Sequence, residues 1–354
     1  MHTIVITGGH HNSALVVAKE LIKRGHNIAW IGHRHSSRGD KGDSAEYLEV
    51  KAAGISFNNL NAAKLLSDPR ELARFPLGII QSLILLKRVK PVAILSFGGY
   101  LGGTVALAGK CLGIPIYLHE QTVSAGRANK LIGKLAKKVY LTWSQSTRFF
   151  AKAKIKVVGL PLRPSILTTR PQQLFTRRRP TLLVMGGKQG AHAINQFIFT
   201  HLPDLLTHFN IVHQTGTSSL TRDYAHALSL QNSLGSLANS YLPMGYIIEG
   251  AIDDYLHSSD LYLGRSGAHI CYELALIGLP SILVPLMISR DAEQHQNAEI
   301  LVQAKLGLII SQDSLTLPHF MSKVNELHSL KAKSLGLKKD ATTLLVDDFL
   351  TELK

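Results

Sequence analysis

Short aliphatic runs alternate with helical patterns twice along this chain, and that alternation constrains the fold more than any other feature. The first series predicts strands near 3–6, 28–31, 92–96, 115–118 and 139–141, with helices over 13–24, 71–88, 101–112 and 126–137. The pattern then restarts. Strands are predicted near 181–185, 209–213, 245–248, 260–264 and 281–284, with helices over 191–200, 250–257, 268–277 and 293–304. Continuous apolar strands separated by helices require parallel sheets covered on both faces. Two such series in 354 residues predict an α/β protein of two Rossmann-like, doubly wound domains. The join is expected in "VVGLPLRPS", 157–165, where Pro161 and Pro164 interrupt regular structure. This gives domains over 1–162 and 163–335, with a C-terminal helix in 336–354 packing back on the first domain.

Charge placement narrows the partners. Residues 1–162 hold 23 Lys and Arg against 8 Asp and Glu, whereas the remainder holds 16 of each, so the whole +15 excess lies in the first half. A one-sided excess suits an anionic partner surface, lipid or nucleic acid. Basic and aromatic residues do not interleave as in single-strand binders, which argues against nucleic acid. Cys111 and Cys271 are far apart and fall in expected apolar helices, so a disulfide framework is excluded and a reducing compartment is expected. The start "MHTIVITGG" reads as a strand rather than a secretory leader, and no apolar run is long enough to span a bilayer.

Three glycine turns follow expected strands: "TGGHHNSA" (7–14), "FGGYLGG" (97–103) and "GGKQGA" (186–191). Glycine permits positive φ and close ligand approach, and the next helix aims free N–H groups at an anion. None has dinucleotide or P-loop spacing, so a phosphate is expected in neither usual manner. A fourth turn, "GRSGAHICYE", places Glu273 early in a helix, where a carboxylate can take both hydroxyls of a ribose. Gln294 and Asn297, three apart, share a helix face further on.

With "TGGH", "FGGY", "HEQ", "GLPLRP", "GGKQGA..IN", "HQTG", "RSGA....E" and "Q..NA" in this order, the chain resembles the MurG family, the UDP-N-acetylglucosamine:lipid I N-acetylglucosaminyltransferases of peptidoglycan synthesis. The resemblance covers roughly 1–312. It implies the GT-B architecture, two Rossmann-like domains with a cleft between them, and an inverting transfer that needs no cofactor and no metal. The absence of any Asp-x-Asp agrees with the last point. It implies UDP-N-acetylglucosamine as donor, lipid I as acceptor, and a peripheral position on the cytoplasmic face of the cell membrane, with other cell-wall synthesis proteins as further partners.

Carried over by position, the resemblance puts Thr7, Gly8 and Gly9 near the donor sugar and diphosphates, with His10 as the candidate general base. Gly98, Gly99, Tyr100, Gly102 and Gly103 form an acceptor-diphosphate loop. Asn129 would contact the donor sugar, Arg163 the nucleotide and Ile252 the uracil. Ala268, His269, Ile270, Cys271, Tyr272 and Glu273 would line the nucleotide, with Glu273 on the ribose and Gln294 on sugar hydroxyls. The chain also departs from the family pattern. Val5 and Ile6 replace two glycines, the proline after the loop histidine is missing, Thr122 replaces an asparagine and Ile270 a threonine. Ala292 and Glu293 replace an Asp-His pair, and Lys188 stands where the family has a serine. Lys188 exchanges a hydroxyl donor for a cation, which can still serve a diphosphate.

Displacement at the anomeric carbon needs a base for the acceptor hydroxyl and positive potential at the leaving UDP. A histidine with an ordinary pKa near 6.5 suits the first task, which favours His10, with Glu120 of "LHEQ" as the rival. Glycine-loop amides, a helix N-terminus and Lys188 suit the second. The segment "FPLGIIQSLILLKRVK" (75–90) combines apolar helical spacing at Ile79, Ile80, Leu83 and Ile84 with terminal basic residues, as expected of a helix that meets an anionic membrane. Two other readings stand beside this one: a GT-B transferase with a different lipid acceptor, and a non-catalytic basic membrane-binding relative.

Overall fold

A computed structural model describes residues 1–35, 43–61, 75–176, 178–187, 189–247, 250–286 and 292–353. The chain divides into two compact units, Met1–Arg163 with Lys338–Lys354, and Pro164–Leu337.

In the first unit the order is β1 (Thr3–Thr7), α1 (His11–Lys23), β2 (Asn27–Gly32), α2 (Ala45–Ala52), β3 (Ser56–Asn59), α3 (Phe75–Val89), β4 (Ala93–Ser96), α4 (Gly99–Cys111), β5 (Ile116–Glu120), α5 (Arg127–Leu135), β6 (Lys138–Leu141) and β7 (Ile155–Val157). The seven strands pair in parallel in the order β3-β2-β1-β4-β5-β6-β7. Central strands such as Ile4–Ile6 and Ala93–Leu95 are fully buried, because helices cover both faces. One face packs Ile4, Ile6, Trp30 and Leu95 under α1, and the other packs Val5, Ile94 and Leu118 under α3, α4 and α5.

The second unit holds a single-turn helix α6 (Ser165–Thr168), then β8 (Thr181–Met185), α7 (His192–His208), β9 (Asn210–Gln214), α8 (Asp223–Ser233), β10 (Tyr241–Met244), α9 (Ala251–His257), β11 (Leu261–Gly264), α10 (Ala268–Ile277), β12 (Ser281–Leu283), α11 (Glu293–Gln303), β13 (Gly307–Ile309) and α12 (Leu317–Ser329). Its six parallel strands run in the order β10-β9-β8-β11-β12-β13.

The last helix, α13 (Ala341–Glu352), belongs to the first unit. Its Leu345, Val346 and Phe349 are fully buried in the core beside α1, with Phe349 edge-on to Tyr117 at 4.8 Å. Burying such side chains stabilises by about 1.5–3 kcal/mol each. On its outer side Asp348 meets Lys138 at 2.7 Å, Lys156 at 2.6 Å and the Tyr140 hydroxyl at 3.0 Å, and Asp347 pairs with Arg24.

The strand expected at 245–248 is corrected: the pairing strand is Tyr241–Met244, and Ile248 lies outside the described residues. Pro243 hides this strand from a pattern reading, but β10 is an edge strand, where a missing N–H is tolerated. Residues 71–74 of the helix expected over 71–88 also lie outside the described residues.

Candidate functional site

Both sheets reverse their strand order once, between β1 and β4 in the first unit and between β8 and β11 in the second. In open α/β sheets ligands bind beyond the carboxyl ends of the strands at such a switch point. The loops at these four strand ends are the four glycine turns singled out in the sequence.

In the first unit the turns after β1 and β4 interlock. Gly9 donates its N–H to the Gly98 carbonyl at 3.0 Å. Gly8 has φ +135°, and a Cβ there would lie 2.6 Å from the Phe97 backbone, so no other residue fits. The buried Thr7 hydroxyl beneath this turn has no hydrogen-bond partner among the described residues. Gly102 and Gly103 let α4 approach its neighbours closely, Gly102 facing the Ser96 hydroxyl and Gly103 facing Ala128. Tyr100 packs its ring 5.5 Å from that of His33 at the end of β2.

Asn129 and Glu120 hold this turn from below. Asn129 lies on α5 and is buried. Its side-chain carbonyl accepts from the Gly99 N–H at 3.0 Å, and its amide donates to Glu120 Oε2 at 2.7 Å. The other carboxylate oxygen accepts from the backbone N–H and the hydroxyl of Thr122, both at 2.8 Å. Glu120 is fully buried, and burial pushes its pKa up despite the donors from Thr122 and Asn129. Both oxygens are therefore engaged within the protein, and Asn129 is engaged at both ends.

His10 caps the N-terminal end of α1, half-buried, directly after Gly9. Near it lies His119, which is fully buried. Burial lowers the His119 pKa to about 4, and the His10 charge adds to that lowering. His119 Nε2 sits 3.2 Å from the Gly159 carbonyl, which selects the tautomer protonated on that nitrogen. His119 is thus neutral near pH 7.

The glycine turn after β8 of the second unit is braced in the same way. Gly190 has φ +83°, and any Cβ there would collide with the Thr215 carbonyl. Gln214 donates to the Gly187 carbonyl at 2.9 Å and accepts from the Ile247 N–H at 3.1 Å. Behind it, Asn195 donates to the Thr215 carbonyl at 2.8 Å and to Asp223 at 2.7 Å, and meets His213 Nε2 at 3.0 Å. Burial lowers the His213 pKa to about 3. The "HQTG" stretch carried this brace in the sequence, but nothing in its spacing named Gln214 or Asn195 as supports. Lys188 lies outside the described residues.

Beyond β11, Arg265 points into the protein, donating to the Val284 carbonyl at 3.0 Å and to Gln312 at 2.7 Å. Ser266 donates to the Gln294 backbone carbonyl at 2.8 Å, and Gln294 accepts from the Leu286 N–H at 3.0 Å through its side chain. Asn297 joins the same cluster by donating to the Ser266 carbonyl at 3.2 Å. The turn thereby leads into α10 with Gly267 extended at its N-terminal end. Ala268, Cys271, Tyr272 and Glu273 are buried, while His269 and Ile270 are half-buried. His269 Nε2 stands 3.1 Å from Glu273 Oε1, one turn along the helix. Burial raises the Cys271 thiol pKa, so it is an inert packing group. Ile252 is half-buried in α9, and Arg163 closes the first unit. The first-unit turns thus gather Thr7, Gly8, Gly9, Gly98, Gly99, Glu120 and Asn129. The second-unit turns gather Gly187, Gly190, Ser266, Glu273 and Gln294.

Two family domains match this chain: the glycosyltransferase family 28 N-terminal domain over residues 3–141 and the glycosyltransferase family 28 C-terminal domain over residues 181–347. A protein of Ectopseudomonas mendocina (strain ymp) is 30% identical across 96% of this chain and 95% of its own. One of Francisella tularensis subsp. tularensis (strain WY96-3418) is 31% identical across 96% of this chain and 91% of its own. Both are named UDP-N-acetylglucosamine–N-acetylmuramyl-(pentapeptide) pyrophosphoryl-undecaprenol N-acetylglucosamine transferase. The crystal structure of Acinetobacter baumannii MurG superposes with a TM-score of 0.74 at 23% identity, covering 99% of this chain and all of that one, a likeness of fold.

Proposed function

The chain belongs to glycosyltransferase family 28, and from that premise we propose that it transfers N-acetylglucosamine from its UDP carrier to the C4 hydroxyl of the muramyl sugar of lipid I. The observation that carries this reading is the second unit's turn after β11. It sets the buried Glu273 carboxylate one turn into α10, beside a braced glycine loop at the sheet's switch point. A carboxylate there suits a ribose diol, and glycine-loop amides at a helix N-terminus suit a diphosphate.

The chemistry follows from the parts. The acceptor oxygen attacks the anomeric carbon, the bond from that carbon to the diphosphate oxygen breaks, and the hydroxyl proton passes to His10. Charge growing on the leaving UDP is met by the loop amides at Gly186 and Gly187 and the N-terminal end of α10. Glu120, the rival base in the sequence, is read as a positioning residue. Its oxygens are spent on Thr122 and Asn129, and it is shut off from solvent. Asn129 is read in the same way, holding the Gly99 turn rather than meeting the donor sugar directly. Gly98 and Tyr100 serve the acceptor diphosphate, Thr7 and Gly8 lie near the donor sugar and diphosphates, and Ile252, Arg163 and Gln294 serve the donor.

One face of the first unit is suited to an anionic membrane. On α3, Leu77, Ile80 and Ile84 are 63%, 52% and 62% exposed, while Ile79 and Leu83 turn towards the core. On α5, Arg127, Lys130 and Lys134 are exposed with Leu131, and no Asp or Glu occurs from Gln121 to Leu162. Helix α4 lies between them, packed on both. Apolar side chains beside cations are the pattern of a helix layer docked at a lipid interface. Among the described residues no helix is long and apolar enough to cross a membrane.

The test is incubation with UDP-N-acetylglucosamine and a short-chain lipid I analogue. The expected product carries one added N-acetylhexosamine in inverted, β linkage, with UDP released in equal amount. Transfer only to another lipid acceptor favours the second reading, and no transfer with intact vesicle binding favours the third.

A further inference from the structure

Helix α8 meets the start of α7, directly after the glycine turn that follows β8, and its seat there is polar. Of its 11 residues the buried ones are Asp223 and Ala227. We propose that Asp223 is a positioning residue for the donor's diphosphate, holding the turn that carries Gly187 and Gly190 in place through Asn195. The inference rests on the reading that this turn takes the diphosphate of UDP.

The Asp223 side chain is 4% exposed. Its Oδ2 accepts from the Asn195 amide at 2.7 Å. His192 Nδ1 lies 2.9 Å from Oδ1 and 3.1 Å from Oδ2. An ionised carboxylate only accepts, so this approach selects the imidazole protonated on Nδ1. The second hydrogen of the Asn195 amide goes to the Thr215 carbonyl at 2.8 Å. The Asn195 side-chain oxygen then accepts from His213 Nε2 at 3.0 Å. Burial keeps the His213 ring neutral, so its Nδ1 accepts from the Tyr241 hydroxyl at 2.9 Å. Each donor in this buried chain points the same way, from Tyr241 through His213 and Asn195 to the Asp223 carboxylate.

Thr215 is where the chain meets the turn. Its carbonyl fills the space that a side chain at Gly190 would need, and the Gly190 N–H closes the turn onto the Gly187 carbonyl at 3.0 Å. His192, the other partner of Asp223, is the first residue of α7, two positions beyond Gly190. Asp223 therefore holds the turn from both sides: the strand end beneath it through Asn195, and the helix start after it through His192. The backbone is bent to place this carboxylate. Arg222, just before it, has φ +53°, a left-handed conformation unfavourable for a residue with a side chain. A carboxylate behind an anion-binding turn opposes the anion through space. Its hydrogen bonds act in the other sense, by presetting the turn amides to receive the anion. Because the two effects have opposite signs, they can be separated.

The experiment measures the affinity of the full-length protein for UDP and for uridine by calorimetry, with urea midpoints to establish that each variant is folded. The ratio of the two affinities isolates the diphosphate, because a merely structural loss weakens both ligands alike. Asp223→Ala should cut the UDP advantage by about threefold to tenfold and leave uridine affinity near wild type. Asp223→Glu keeps the charge but misplaces it by one methylene. It should cut the advantage likewise, and it carries the test if the Ala variant does not fold. Asp223→Asn keeps an acceptor for Asn195, and His192 in its other tautomer accepts from the new amide, so the advantage should stay within about twofold of wild type or rise. Asn195→Ala should match Asp223→Ala, and the double variant should lose no more than either alone, because the two act in one chain. Gly190→Ala drives the turn away from Thr215 and should lower the UDP advantage. Gly187→Ala, at φ +89° with open space around it, is the milder change beside it. If the advantage survives in both glycine variants, the turn does not take the diphosphate and the underlying reading fails. If the glycine variants lower it while Asp223→Ala or Asp223→Glu leaves it unchanged or raises it, the diphosphate reading stands and the role of Asp223 is overturned. Losses that add in the double variant, or a loss in Asp223→Asn as large as in Asp223→Ala, also overturn it.

Discussion

Asn129 donates to the Glu120 carboxylate at 2.7 Å, with both side chains buried, and that bond ties helix α5 to the end of strand β5 beneath the Gly98–Gly99 turn. The same asparagine accepts from the Gly99 N–H, so the pair sets where the turn's amides point. A catalytic base would need a carboxylate within reach of substrate, whereas this one is surrounded by protein donors.

The division of labour between Glu120 and His10 can be measured. His10→Ala should lower kcat by roughly 10²–10⁴ while UDP affinity stays near wild type. Glu120→Gln should weaken lipid I analogue binding and lower activity. It should also cost stability, since it turns one acceptor oxygen into a donor and leaves at least one buried donor unpaired, at about 1–3 kcal/mol. Steady-state kinetics in both substrates, with urea unfolding of each variant, separates the two. If Glu120→Gln alone removes activity while stability and acceptor KM are unchanged, the base is Glu120.

Two buried histidines make stability pH-dependent. An unfolded histidine titrates near pH 6.5, but burial holds His119 near 4 and His213 near 3. Both folded values are depressed, so the folded state favours the neutral ring and the unfolded state binds more protons below pH 6.5. Stability is full above about pH 6.5 and falls as pH drops through 4 and towards 3. For His119 the loss is on the order of 3 kcal/mol. Urea midpoints from pH 7.5 to 4 should decline, and His213→Gln should flatten its share of the slope. A flat profile in wild type over this range contradicts the burial argument.

The proposed membrane docking would rest on the exposed Ile80 and Ile84 and on the cations of α5. The protein should bind anionic vesicles more tightly than neutral ones, and salt should weaken the difference. Ile80→Glu with Ile84→Glu should lower vesicle affinity by about tenfold or more and leave UDP affinity alone. Equal binding of wild type to both vesicle types removes this face from consideration.

The loop "GGKQGA" carries the chain's clearest departure from its family, Lys188. A cation beside the glycine amides should favour UDP over uridine beyond what the amides contribute. Lys188→Ser should shrink that advantage by about 0.5–2 kcal/mol with uridine affinity unchanged. Paired titrations that show the same UDP advantage in both proteins exclude a contact between this lysine and phosphate.

Much of the fold was legible because apolar runs such as "TIVI" and "TLLVM" are buried on both faces and leave a periodic trace. Elements whose faces are polar left none. The edge strand Ser56–Asn59 reads "SFNN", helix Asp223–Ser233 alternates polar and apolar residues without a stripe, and Pro243 disguised β10. At the site, the glycine turns were visible because backbone strain restricts them to glycine. The supports were not: Gln214 and Asn195 act through long-range contacts that no spacing rule encodes. Glu120 shows the opposite case. Its motif drew attention to an ionisable group, whereas its burial and its bonds to Thr122 and Asn129, which suit a brace, left no trace in the spacing.

The central claim is the identity of donor and acceptor, and one measurement addresses it most directly. It is kcat/KM for UDP-N-acetylglucosamine, UDP-glucose, UDP-N-acetylgalactosamine and UDP-galactose, each with a short-chain lipid I analogue in anionic vesicles. The account predicts that UDP-N-acetylglucosamine leads the others by about tenfold or more, and that His10→Ala lowers this turnover by roughly 10²–10⁴ with UDP binding near wild type. A different preferred sugar, or turnover that requires an acceptor other than lipid I, contradicts it.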